Sequence, residues 1–303
     1  MIISTVIAGL MAVTATASRE DELAALSDEF EGTELSSSWQ RFDRVYGWPD
    51  KLKAIDAGRT VAGALHLQPY DSAWVRDLNA PFLFKELSGD FDVRARVRVR
   101  SSSGLVPGGI WSLGGLMVRM SNDNSARAWQ PRRENWHFIT TGVGHEPGKP
   151  MTETKATYNS SSHLKLRPFQ SGWVELRLAR VGNALFALAR GDNGRWEVRD
   201  RFYRMDLRPE VQVGIIAYTT NPDKPGEPED PVVENLGVKK DLAVDMAMDV
   251  DWVRFSRPRA HRAAAAPADR QAAATLWYAQ VNGTNHLTDP NLGEKEILDA
   301  LGE

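Results

Sequence analysis

Apolar and polar residues alternate along most of the chain between Asp28 and Arg257. The clearest stretch is Phe91–Val99, where Phe91, Val93, Ala95, Val97 and Val99 are apolar and Asp92, Arg94, Arg96 and Arg98 are polar. A helix would scatter those arginines around its surface, whereas a strand lines them on one face, so the segment predicts a strand with one buried side. Similar runs cover 64–70, 81–87, 114–120, 135–144, 173–181, 184–190, 196–205, 211–220 and 247–256. Gly, Pro, Asn and Asp separate them, and Gly182-Asn183 between two of the runs predicts a tight hairpin. Many short strands with turns between them predict an all-β chain built as a two-sheet sandwich or barrel.

Other segments break this rhythm. Residues 122–134 and 145–162 are polar and predict long loops, and 221–232, with four prolines and several acids, predicts an extended surface loop. Beyond Arg257 the composition changes. Pro258–Pro267 reads as a linker, Asp269 is placed to N-cap a helix reaching Gln280, and Glu294–Leu301 predicts a second short helix. This 258–303 tail has two readings, packing back on the sandwich through Leu276, Trp277 and Tyr278 or serving as a docking appendage.

Charge and composition narrow the picture. A net charge of -3 and a pI near 6.1 give no bulk attraction to nucleic acid or to an anionic membrane. With no cysteine, a disulfide framework, a zinc-thiolate site and a cysteine nucleophile are excluded. Ile2–Val13 is an apolar run of signal-peptide length followed by the small-x-small pattern Ala15-Thr16-Ala17, although no Lys or Arg precedes it. This predicts a signal peptide over 1–17, a secreted or periplasmic sandwich domain over 18–257 and no membrane span in the mature chain. A buried N-terminal helix or strand is the alternative. Ten tryptophans suit both a core and ring-stacking sites.

Several short pieces carry a family resemblance: Asp28-Glu-Phe-Glu-Gly32 with Trp39, Pro81-Phe-Leu-Phe-Lys-Glu86, Gly89-Asp-Phe-Asp-Val93, Gly114-Gly-Leu-Met-Val-Arg119, Trp173-Val-Glu-Leu-Arg177, Val213-Gly-Ile-Ile-Ala217 and Val250-Asp-Trp-Val-Arg-Phe255. In this order the chain resembles the concanavalin A-like lectin/glucanase superfamily, and more narrowly DUF1349-type domains. The resemblance implies a jelly roll of two antiparallel sheets with one concave face. It does not imply an enzyme, because such folds serve as lectins, glycosidases, lyases and passive modules.

Glucanases of this superfamily carry three acids as Glu-x-Asp-x-x-Glu on one strand. No such triplet occurs; Asp249-Val-Asp251 has the first spacing without the third acid. Elimination on uronic polysaccharides needs a cation for the sugar carboxylate and a His or Tyr to move a proton. Arg119, His137, Arg177 and Tyr218 lie on separate predicted strands and supply those types, with Lys85 and Lys165 able to join them. If the protein is an enzyme, His137, Tyr218 and Arg119 are the catalytic candidates; the bland alternative is that all are solvated strand residues. A glycan-binding face asks less. Trp74 and Trp136 offer stacking surfaces beside predicted loops, and Lys85, Arg119, His137, Arg177 and Tyr218 offer polar contacts.

The resemblance also implies a structural Ca²⁺ where the first and last strands pair, with Asp28, Glu31, Asp249 and Asp251 as oxygen donors. Plain edge charges that discourage aggregation are the alternative. No cofactor is required by any motif. Three functions stand open at this level: a polysaccharide- or glycan-binding sandwich, a lyase or hydrolase on acidic polysaccharide, and a non-catalytic module working through its tail.

Overall fold

The alternating runs form strands, and the strands form two antiparallel sheets. The computed structural model describes residues 21–220, 230–258, 286–289 and 291–303. The expected leader at 1–17 and the expected helix from Asp269 to Gln280, with Leu276, Trp277 and Tyr278, lie outside the described residues, as does most of the expected linker.

Fourteen strands are described: β1 Gln40–Arg41, β2 Leu52–Ala57, β3 Leu65–Pro69, β4 Phe82–Ser88, β5 Phe91–Arg100, β6 Ser112–Arg119, β7 Trp136–Val143, β8 Pro150–Tyr158, β9 Ser161–Pro168, β10 Val174–Val181, β11 Ala184–Arg190, β12 Trp196–Tyr203, β13 Glu210–Tyr218 and β14 Ala247–Ser256. Three short helices, α1 Phe42–Tyr46, α2 Pro231–Leu236 and α3 Glu294–Leu301, accompany them. The first sheet has the order β1-β4-β13-β6-β7-β8-β9 and the second β12-β11-β10-β5-β14-β3-β2, seven strands each. The inward residues of both sheets make one core, with Val93, Ala95 and Val97 of β5 facing Leu116 and Val118 of β6 and Val213 and Ile215 of β13. Each fully buried aliphatic side chain contributes about 1.5–3 kcal/mol, so this core dominates the stability of the sandwich.

Two expectations from the sequence are corrected. Segment 145–162 is not a loop but carries β8 and the start of β9. Its charges concealed the strand: Glu153 and Lys155 are buried on β8, which is tolerated because Lys155 Nζ lies 2.7 Å from Glu153 Oε1. The proline-rich segment also ends in order rather than as loop throughout. Asp230 accepts from Val232 N and Pro231 opens α2, the residue types that start a helix.

The tail helix packs back. Leu287, Ile297 and Leu301 are buried against Val181, Phe186 and Trp196 on the outer face of the second sheet. Arg177 anchors it, donating Nε and Nη2 to Asp92 at 2.8 and 2.5 Å, Nη2 to the Leu301 carbonyl at 2.9 Å and Nη1 to Glu303 at 2.9 Å. Arg177→Met is therefore expected to destabilise the fold by about 3 kcal/mol in urea unfolding, because buried Asp92 keeps only the longer 3.4 Å contact from Arg94. The double variant Asp92→Leu/Arg177→Met should recover most of that loss. Equal losses in single and double variants would show that the pair is not what holds the tail.

Candidate functional site

Strand parity decides which predicted site residues can meet. On β7, Trp136, Phe138 and Thr140 point to the outer face of the first sheet, while His137 and Ile139 point inward. The same outer face receives Arg119 and Met117 from β6 and Gln212, Ile216 and Tyr218 from β13. It was expected to be an open concave surface. It is covered instead: α1, Trp48 and the loop through Trp74 lie over it, and Phe42, Trp74, Phe82, Trp136 and Phe138 form a buried aromatic cluster. Lys155 holds the covering loop by donating Nζ to the Trp74 carbonyl at 3.1 Å, and Asn235 holds it through Asn79 N at 2.9 Å and the Asp77 carbonyl at 2.8 Å.

The charges beneath are consumed by one another. Arg119 donates Nε and Nη2 to Glu134, both at 2.8 Å, Nη1 to Gln212 at 2.9 Å and Tyr46 at 3.1 Å, and Nη2 to Asn122 at 3.1 Å. These five bonds use every N–H of the guanidinium. Burial alone would lower its pKa, yet Glu134 and Tyr46 raise it above the ordinary arginine value. Tyr218 donates its hydroxyl to Glu153, and burial together with that carboxylate pushes the phenol well above its usual range. A phenol held protonated in this way is no base.

The catalytic set read from the sequence does not converge. Arg119 pairs in register with Gln212 and Tyr218 with Leu113, six residues apart along β13, or about 20 Å. His137 projects from the opposite side of its strand. The wider binding set separates further: Arg177 belongs to the outer face of the second sheet under α3, Trp74 and Trp136 are sealed, and Lys85 points into the core. Lys85 Nζ donates to the Leu26 carbonyl at 2.7 Å and Ser38 Oγ at 2.8 Å and lies 4.6 Å above the Trp39 ring. Its alternation was read correctly as strand; its face was not legible.

The proposed calcium donors do not fit Ca²⁺, which takes six to eight oxygens. Asp249 accepts from His66 Nδ1, Arg98 Nε and Arg100 Nε, each at 2.7 Å, and Asp251 accepts from Arg96 at 2.6 Å. Burial raises the Asp249 pKa, but hydrogen bonds from His66, Arg100 and Arg98 outweigh it and hold the carboxyl well below the ordinary range. Asp28 accepts from the Trp39 indole at 2.8 Å and Phe30 N at 3.0 Å, and Glu31 is exposed. Among the described residues no group of three or more His, Cys, Asp or Glu is arranged to hold a metal ion.

An accessible site exists elsewhere, where the edge strands β9 and β12 part. Farther along, Asp200 joins the sheets by accepting from Thr154 at 2.9 Å and Lys165 at 2.6 Å. Beyond that join a cleft of about 540 Å³ opens, lined on one side by the register row His137, Ala156 and His163 and on the other by Tyr203, Arg204 and Met205. Its apolar surface is unusually bare: Tyr158 is 54% exposed, Tyr203 43% and Met205 75%. Arg204 forms the floor. It donates to Asp206 (Nε at 2.7 Å, Nη2 at 2.6 Å), His137 Nε2 (2.9 Å), the Thr157 carbonyl (3.0 Å) and Asn135 (3.1 Å), and it lies 4.8 Å from the Tyr158 ring. The sequence pointed to His137 here but missed Tyr158, Tyr203, Arg204 and Asp206. Tyr158 fell in the segment read as loop, and no spacing links it to residues some 45 positions away in Tyr203.

No protein-family model and no curated protein matches this chain. Among solved structures it is similar to a functionally unknown protein from Saccharomyces cerevisiae, with 17% identity over 70% of this chain and 95% of that one, TM-score 0.47. It is similar to the Bacteroides ovatus xyloglucan-locus protein GH43B, with 13% identity over 76% of this chain and 39% of that one, TM-score 0.50. A pseudo beta-1,3-glucanase and immunostimulatory antigen of Mycobacterium tuberculosis matches at 16% identity over 76% of this chain and 97% of that one, TM-score 0.45. The Bacteroides likeness is one of fold, and this chain spans 39% of that protein's length. No helix among the described residues is long and apolar enough to cross a membrane.

The cleft floor carries a pH signature. Burial, with the Arg204 charge adding to it and Asp206 opposing, pushes His137 down from 6.5 to about 3. Between those values the unfolded chain binds a proton that the folded chain does not. Stability present above pH 6.5 is therefore expected to fall, by a few kcal/mol, as pH drops toward 3. Thermal melts across that range should show the slope in wild type and a shallower one in His137→Gln, which keeps an acceptor for Arg204 but cannot titrate. Identical slopes would show that His137 titrates normally.

Proposed function

We propose that this chain is a non-catalytic carbohydrate-binding sandwich whose ligand site is the edge cleft between β9 and β12. The observation that carries this reading is the pair of half-exposed tyrosines, Tyr158 and Tyr203, at an open cleft of about 540 Å³. That volume falls within the range of small-ligand sites and suits a few sugar rings. Tyrosines present flat apolar faces to sugar C–H groups and a hydroxyl at the tip, while Ser161 and His163 add polar contacts on the β9 side. The export signal expected at 1–17 accords with a ligand met outside the cytoplasm.

The enzymatic reading has less support. A lyase or hydrolase needs its acid, base and charge-stabilising groups within reach of one bound sugar. Arg119 and Tyr218 are covered and saturated by protein partners, and His137 is held neutral on the other side of the sheet.

A glycan array followed by titration calorimetry tests the proposal on the full chain. Wild type is expected to bind at least one glycan, with Tyr158→Ala and Tyr203→Ala each weakening it by about tenfold or more. Incubation with uronic polysaccharides should yield no unsaturated product at its characteristic absorbance. An array with no signal, or a tyrosine pair that can be removed without effect, would end this reading.

A further inference from the structure

Arg204 is the most heavily engaged group in the cleft, and that engagement bears on what the cleft selects. Its five donated bonds use all five guanidinium N–H groups, so none remains for a ligand. Asp206 is in a different position. It follows Arg204 in a turn closed by Leu207 N donating to the Arg204 carbonyl at 3.4 Å, and its side chain is 40% exposed. Arg204 grips it with two parallel bonds, one to each oxygen, which fixes the plane of the carboxylate and leaves only its lateral lone pairs for other donors. The Arg204 hydrogen bond also holds the acid below its ordinary pKa, against the opposing effect of burial, so it is a carboxylate throughout the neutral range. Among the residues lining the cleft Asp206 is the one carboxylate.

We infer that Asp206 is a specificity-determining residue that accepts a hydrogen bond from a hydroxyl of a neutral sugar, and that the cleft discriminates against uronic sugars. This rests on the carbohydrate reading of the cleft and gives it a ligand class. A sugar hydroxyl can donate to a lateral lone pair that the Arg204 fork leaves on the carboxylate. Tyr158 and Met205 border the same turn and supply the apolar side of the contact. A uronic sugar would bring a second carboxylate toward Asp206. The nearest guanidinium, that of Arg204, has no N–H left to offer it. Arg201, also in the lining, is exposed, but it shares the outer face of the second sheet with its register partner Phe186 and donates Nη1 there to the Leu292 carbonyl at 2.7 Å. Like charges brought together at a desolvated contact oppose binding.

Titration calorimetry on the full chain with cellotetraose, xylotetraose, laminaritetraose and tetragalacturonate tests this. At least one neutral tetramer is expected to bind at least about tenfold more tightly than tetragalacturonate. Asp206→Asn should weaken the neutral ligand about tenfold or more and narrow the gap to the uronate, while Asp206→Glu should retain part of the wild-type affinity. Thermal melts of the variants establish that they are folded, and the wild-type comparison needs no variant. Tetragalacturonate bound as tightly as the neutral tetramers, or a folded Asp206→Asn with undiminished neutral binding, would overturn the inference and leave the cleft reading in place. Wild type binding no glycan would remove both.

Discussion

Arg204 ties the two sheets together at the point where their edge strands separate. Its guanidinium reaches from the turn after β12 to Asn135, His137 and Thr157 of the first sheet. A charge this deeply buried is tolerated only when every donor is paired, and here every donor is. The knot fixes the width of the opening, the tilt of the Tyr158 ring and the plane of the Asp206 carboxylate. A flexible edge would close over its own apolar side chains. A pinned edge leaves tyrosines and a methionine in water, where a ligand can use them.

The same rule explains why the expected face of the first sheet is not a site. Once α1 and the loop through Trp74 cover it, water no longer serves its polar groups. Arg119 must then be fully bonded by Glu134, Gln212, Tyr46 and Asn122, and Glu153 must be shared by Tyr218 and Lys155. Such paired charges act as struts that lock loops to the sheet, under a cover of aromatic side chains. On the opposite surface Arg177 plays a similar part for the tail helix through Asp92, Glu303 and the Leu301 carbonyl.

The Trp48 and Trp136 indole nitrogens on the covered face are buried without a hydrogen-bond partner. They mark the cost of closing that face with aromatic rings, about 1–3 kcal/mol for each buried unpaired group. The aromatic cluster offsets this through area, through the edge-to-face contacts Trp74 makes with Phe82 and Trp136, and through the stacked pair Trp136 and Phe138. The arrangement is stable because apolar burial outweighs the unpaired donors.

The chain's period-2 alternation determined ten of the fourteen described strands and, through their number and turns, a two-sheet sandwich. Phe91–Val99 declares its inner and outer residues outright, because each neighbour differs in polarity. Where charge pairs with charge inside the fold, the signal fails, as it did for β8 with Glu153 and Lys155 and for the face of Lys85. Tertiary structure alone decided which loops cover which face, and therefore that Arg119, Trp136 and Tyr218 are buried struts while Tyr158, Tyr203 and Asp206 border a cleft. Parity assigns a side chain to one side of its own sheet. Whether that side meets a loop, the other sheet or water depends on contacts between residues far apart in the chain, which no local pattern records.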